Sequence, residues 1–145
     1  MGAPRGTFIL GESERPVLLV SAGVGATPVL AMLHALAAAH SEREVWWLHG
    51  ARAGGEHSFA AESRALLDSH PKARSHVCYS RPDPNDLEGR DFDSAERLTA
   101  ALLAGLQPPP DAEAYVCGPA QFMDAISAGL GAGGLDASSI HTAPF

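Results

Sequence analysis

Uniformly apolar runs and helically spaced ones follow each other in turn along this chain. Val17, Leu18, Leu19 and Val20 stand together between Pro16 and the first glycines, with no polar residue among them. Such a run suits a strand covered on both faces rather than one with a wet side. From Pro28 to Ala39 the spacing changes: Val29, Leu30, Leu33, Leu36 and Ala37 fall near a helical repeat, and the alanines raise helix propensity. Glu44 to Leu48, with Trp46 and Trp47 paired, reads as a second strand, ended by Gly50, Gly54 and Gly55. Ser58 to Ser69 reads as a second helix, with Ser58 as its cap and Glu62 close to the capping-box position. Arg74 to Ser80 alternates enough for a third strand, and the turn residues from Arg81 to Asp86 lead into an ordered loop over 82–93. Ser94 to Leu106 reads as a third helix, stopped by Pro108, Pro109 and Pro110. Ala114 to Cys117 is a fourth strand, Pro119 to Leu130 a fourth helix with Phe122, Ile126 and Leu130 on one face, and Ser139 to Thr142 a short last strand. Strands and helices in strict alternation predict an α/β fold: a doubly wound, five-stranded parallel sheet with helices on both faces.

In such a sheet, ligands sit beyond the carboxyl ends of the strands, where strand order reverses. Those ends gather Ser21 to Gly25, His49 to Arg52, Ser80 with Arg81, Cys117 to Pro119, and His141 to Phe145. The first is the most informative. Gly23 and Gly25 permit positive φ and a close approach to the backbone, Thr27 stands as a helix N-cap and Pro28 at the first helical position. Free N–H groups at a helix start, together with the helix dipole, make that turn an anion site. The pattern departs from the Gly-x-Gly-x-x-Gly fingerprint, because Pro28 replaces the third glycine. After the second strand come His49, Gly50, Ala51 and Arg52, with no acid for a ribose diol. Arg52 and Arg81 can pair with pyrophosphate or a 2′-phosphate, or serve as solvated surface charge. Cys117-Gly118-Pro119 has a functional and a structural reading. A thiol at a strand end beside a helix start can be a nucleophile, with His49 or His141 as companion, or it can be a small apolar contact.

Composition narrows the field. The 145 residues fit one domain, and a net charge of −7 disfavours a nucleic-acid surface or an anionic membrane. No run approaches the ~20 apolar residues of a membrane helix, and the first residues lack the apolar core of a signal peptide, so the expected location is cytoplasmic. Cys78 and Cys117 lie in separate apolar segments and are expected reduced. The seven histidines include no His-x-x-x-His pair, so no metal site is expected. Neither Gly-x-Ser-x-Gly nor a P-loop is present, which removes the main support for a serine hydrolase or a nucleoside triphosphatase.

Four blocks resemble one family in order and spacing: Ser21 to Pro28, His49 to Arg52 with Phe59 and Glu62, Val116 to Met123, and Ile140 to Phe145. Together they are similar to the NAD(P)-binding half of the ferredoxin-NADP reductase family, nearest its flavohaemoglobin-like and oxygenase-reductase branches. Ala3 to Phe8 resembles the segment leaving a flavin domain, so 1–16 is expected to be a leader and 17–145 the NAD(P)-binding domain.

The resemblance implies a hydride passed from NAD(P)H to a flavin, FAD or FMN, and electrons passed on to an iron-sulfur or haem acceptor. By the same analogy Gly23, Gly25, Thr27 and Pro28 hold the pyrophosphate, and Ser80 with Arg81 contacts the adenosine end. Cys117, Gly118 and Pro119 line a nicotinamide pocket beside Ala22, and Phe145 lies near the flavin ring. Ser80, Arg81 and the missing acid after the second strand lean the reading toward NADPH. Two departures stand out. Ala143 replaces an acidic residue common in this branch, and the flavin barrel with its Arg-x-Tyr-Ser pattern is not within these residues. A separate flavin-binding domain or chain is therefore implied. The competing readings are a non-catalytic nucleotide-binding or interaction remnant, and a thiol enzyme using Cys117.

Overall fold

Val17, Leu18, Leu19 and Val20 are completely buried, which leaves their strand no wet face and places it in the middle of a covered sheet. A computed structural model describes residues 13–23 and 26–144. The elements run β1 (Val17–Ala22), α1 (Ala26–Ala38), β2 (Val45–Ala51), α2 (Ala60–Asp68), β3 (Ala73–Tyr79), α3 (Ala100–Leu106), β4 (Glu113–Gly118), α4 (Ala120–Ala132) and β5 (Ile140–Pro144). The strand order is β3-β2-β1-β4-β5 and every pairing is parallel, as the alternation of strands and helices predicts.

Side-chain alternation divides the core in two. Leu18, Val20, Trp46, Leu48 and Val116 meet Leu103, Ile126 and Leu130 of α3 and α4 on one face. Val17, Leu19, Trp47 and Cys117 meet Val29, Leu33, Leu36 and Leu67 of α1 and α2 on the other. The adjacent tryptophans thus serve opposite faces. Fully burying each such side chain contributes about 1.5–3 kcal/mol, so β1 and β2 anchor both layers.

Three helix starts differ from the sequence reading. α1 begins at Ala26, so Thr27 is an exposed residue of the first turn rather than its cap. Pro28 is still tolerated, because the N–H it lacks is among those that no earlier carbonyl accepts. α2 begins at Ala60 after Phe59, whose φ of 59° starts the turn, so Ser58 stands one residue too early to cap it. Glu62 reaches across to His34 of α1 instead of closing a capping box. α3 begins at Ala100, capped by Thr99, whose side chain accepts a hydrogen bond from Leu102 N–H at 3.2 Å. The stretch from Ser94 cannot join that helix, because the Asp93 and Ser94 N–H groups donate to Val77 O at 2.7 and 3.3 Å and hold it along β3.

Two arginines close the amino end of the sheet. Arg15 donates to the carbonyls of Asp111 and Ala112 and to Ser139 Oγ. The buried Arg43 donates to Arg15 O at 2.8 Å and pairs with Glu113 at 3.5 Å. Both bridge segments far apart in sequence, and they occupy the end of the sheet opposite the carboxyl ends of its strands.

A polar chain runs through the α1/α2 face. Ser21 Oγ lies 2.8 Å from His49 Nδ1, the His49 and His57 rings stack at 4.9 Å, and His57 Nδ1 lies 2.7 Å from the Tyr79 hydroxyl. Burial, then the neighbouring His57, holds His49 at about 3; burial, then Arg64, holds His57 at about 4. Both values lie below the unfolded value near 6.5, so the folded chain binds fewer protons in that interval. The stability that depends on neutral imidazoles is complete above about pH 6.5 and is lost as pH falls toward about 4, at up to about 1.4 kcal/mol per pH unit for each histidine. Urea unfolding is therefore expected to show a midpoint that falls between about pH 6.5 and 5, above the range of ordinary carboxylates. A flat midpoint across that interval contradicts the assignment.

Candidate functional site

The strand order reverses between β1 and β4, because the helices that follow them leave for opposite faces. A cleft of about 590 Å³ opens at that point, on the side of the sheet that carries α3 and α4. Its wall takes Ala22 and Gly23 from the end of β1, Gly50, Ala51 and Arg52 from β2 and its exit, Ser80 after β3, and Pro119 after β4. Glu56, Arg97 to Ala100 and the first turns of α4, with Gln121, Phe122, Ala125 and Ile126, complete it.

Glycine shapes this wall at two places. Gly23 has φ 59° and nothing within 4 Å of where a Cβ would stand, so backbone conformation rather than crowding demands it. At Gly118 the reason is space: a Cβ there would lie 2.9 Å from the Phe122 ring, which closes on the end of β4. Pro119 then precedes α4 as its N-cap and offers no side-chain acceptor, so the first N–H groups of the helix beside the cleft are left uncapped.

The cleft also concentrates positive charge on an acidic chain. Arg52 and Arg97 both line it, and Arg97 has no hydrogen bond or ion pair among the described residues. Arg52 lies 3.8 Å from Glu56 in an exposed pair, which is worth little by itself. Arg81 is exposed beside the wall rather than in it, and its N–H donates to Arg52 O at 2.8 Å.

Of the sequence-predicted residues, Ala22, Gly23, Arg52, Ser80 and Pro119 come together in this wall, with Gly118 directly beneath. Thr27 and Pro28 belong to the first turn of α1 and do not line it. Gly25 and Phe145, like residues 1–12, lie outside the described residues.

Cys117 requires a correction. Its side chain packs on the α1/α2 face, fully buried, and burial pushes its thiol up rather than down. Neither proposed companion serves it. His49 is taken by Ser21, and His141 stacks on Tyr115 and sits 3.3 Å from Glu113. The alternation of β4 sends Gly118, not Cys117, toward the cleft.

Sequence reasoning missed Glu56, Arg97 and Gln121. Arg97 was hidden by the expectation of a helix from Ser94. Glu56 lies beyond the strand end where an acid is normally sought, and the turn that returns it has no periodic pattern.

The family model of the oxidoreductase NAD-binding domain matches residues 19–128. A flavohemoprotein of Chromobacterium violaceum is 44% identical over 146 residues, covering 100% of this chain and 36% of that protein. Among solved structures, the flavohem-like FAD/NAD binding domain of nitric oxide dioxygenase from Vibrio cholerae superposes with a TM-score of 0.80 at 37% identity, covering 95% of this chain and 54% of that one. The flavohemoglobin of Malassezia yamatoensis, solved with FAD and heme, gives 0.78 at 28% identity, covering 94% and 33%. The chain thus spans about a third of the length of the curated relatives it matches.

The placement of Cys117 has a direct chemical consequence. In the native chain iodoacetamide is expected to leave it unmodified near neutral pH and to label it only after unfolding. Rapid labelling of the folded protein, read by peptide mass, contradicts the placement.

Proposed function

Because the chain belongs to the oxidoreductase NAD-binding domain family, we propose that its cleft holds NAD(P)H for a flavin-dependent reductase. The observation that carries this reading is the convergence of Gly23, Arg52, Ser80 and Pro119, from the ends of β1, β2, β3 and β4, in one cleft at the reversal of strand order. The residues present fit the group. An open glycine at φ 59°, uncapped N–H groups at the start of α4 and Arg97, which has no partner among the described residues, are all donors or space for an anionic ligand.

Bound NAD(P)H supplies a hydride, and its acceptor in this proposal is a flavin, FAD or FMN, held by a separate domain or chain. Gly23 in the wall, Gly25 next along the chain, and Thr27 and Pro28, which stand outside the wall, receive the pyrophosphate. Ser80 and Arg81 border the adenosine end. Ala22, Gly118 and Pro119 shape the nicotinamide end, where the missing Cβ at 118 lets Phe122 form the floor. Cys117 contributes only its backbone there, since its side chain faces the other way. The leader 1–16 and Phe145 would border the flavin. Flavohemoprotein relatives favour a haem over an iron-sulfur cluster as the final acceptor. Both cysteines are free thiols, which agrees with a cytoplasmic setting. No helix among the described residues is long and apolar enough to cross a membrane.

A reconstitution separates this reading from a non-catalytic nucleotide-binding remnant. The chain is mixed with a separately produced, flavin-loaded barrel from a flavohemoprotein relative, and NADH and NADPH oxidation are followed with an artificial electron acceptor. Oxidation that needs both parts is expected. Nucleotide binding without oxidation, whatever barrel is added, leaves the remnant.

A further inference from the structure

A carboxylate reaches the cleft even though the end of β2 carries none. Glu56 lines the wall together with Arg52 and Ser80, and its Oε2 lies 3.8 Å from Arg52 Nη1. The backbone brings it back. Residues Gly54–Glu56 form a 3₁₀ turn in which Glu56 N–H donates to Ala53 O at 3.0 Å and His57 N–H to Gly54 O at 3.2 Å. Ala53 and His57 on either side are buried, so the turn is anchored at both ends while its acid stays exposed.

Asp86 clamps the same turn from the loop after β3. Its Oδ2 accepts from Gly54 N–H at 3.0 Å and from Asp83 N–H at 2.8 Å. A Cβ at position 54 would strike Asp86 Oδ1, so this approach requires glycine. The backbone that carries Glu56 is therefore held by two segments, its own turn and the loop after β3, rather than left on an open loop.

The chemistry of such a group is directional. A carboxylate accepts both hydrogens of a vicinal ribose diol, and it repels a phosphate in the same place. Arg52, which alone would favour a 2′-phosphate, already has Glu56 as its partner. We infer that Glu56 makes this cleft select the nicotinamide nucleotide with a free adenosine ribose diol, NADH, over the one phosphorylated there, NADPH. The inference rests on the nucleotide reading above, and it reverses the lean toward NADPH that Ser80, Arg81 and the acid-free strand end suggest.

Calorimetric titration of the full chain with NADH and with NADPH tests it. Wild-type protein is expected to bind NADH more tightly. In Glu56→Gln the ratio of the two dissociation constants shifts toward NADPH by about threefold or more, the size of an exposed charge interaction. The double variant Arg52→Gln/Glu56→Gln loses part of that gain, because the released guanidinium is what holds the phosphate. Glu56 is exposed, so the variant is expected to fold, and circular dichroism checks this. A ratio that moves by less than about threefold, or wild-type protein that binds NADPH more tightly, overturns the role of Glu56 and leaves nucleotide binding intact. Failure of the wild type to bind either nucleotide overturns the nucleotide reading itself, and this inference with it.

Discussion

Burial of β1 on both faces is the constraint from which the architecture follows. A strand with no wet side must have neighbours on both edges and a helix layer above and below, and parallel neighbours can be reached only through crossover connections. Val17 to Val20 meet that requirement by feeding alternate side chains into the two layers. Because α1 and α4 then depart to opposite faces, the carboxyl ends of β1 and β4 part. The cleft is the gap they leave, and the chemistry is placed there by topology before any charged residue is considered.

The two ends of the sheet are built differently. At the amino end, Arg15 and Arg43 are consumed by carbonyls, a hydroxyl and Glu113, which ties β1, β2 and β4 to one another. At the carboxyl end, Arg97 has no partner among the described residues and the start of α4 no side-chain cap. The same residue type thus braces structure where its donors are satisfied and offers a binding surface where they are not. The Ser21–His49–His57–Tyr79 chain lies at the carboxyl ends of β1, β2 and β3, on the face away from the cleft. It fixes the end of β1 at the cost of two imidazoles that must stay neutral.

Strand positions and the cleft-forming ends were legible in the residues, because uniformly apolar runs, glycine and proline each have one dominant physical meaning. Topology gathers Gly23, Arg52, Ser80 and Pro119 at those ends, and the structure sets all four in one cleft wall. What was not legible came from long-range hydrogen bonds that override local capping signals. Ser58 and Thr27 look like caps, yet Phe59 with its positive φ and the early start at Ala26 displace them. Val77 holds Ser94 along β3, which frees Arg97 from the helix its neighbours suggest. Cys117 looked reactive beside a helix start; the phase of β4 turns it into core. Asp86 lies thirty residues beyond Glu56 and positions its turn, a link that no local pattern carries.

In the proposed function the nucleotide lies across the carboxyl ends of β1, β2, β3 and β4. Amide chemical-shift mapping of the isotopically labelled chain during a titration with NADH tests it most directly. Shifts confined to Gly23, Gly50, Arg52, Ser80, Gly118 and Gln121 are expected, with Lys72 and Ala112 at the amino end of the sheet unmoved. Saturable shifts centred on the amino end, or none at saturating nucleotide, would contradict it.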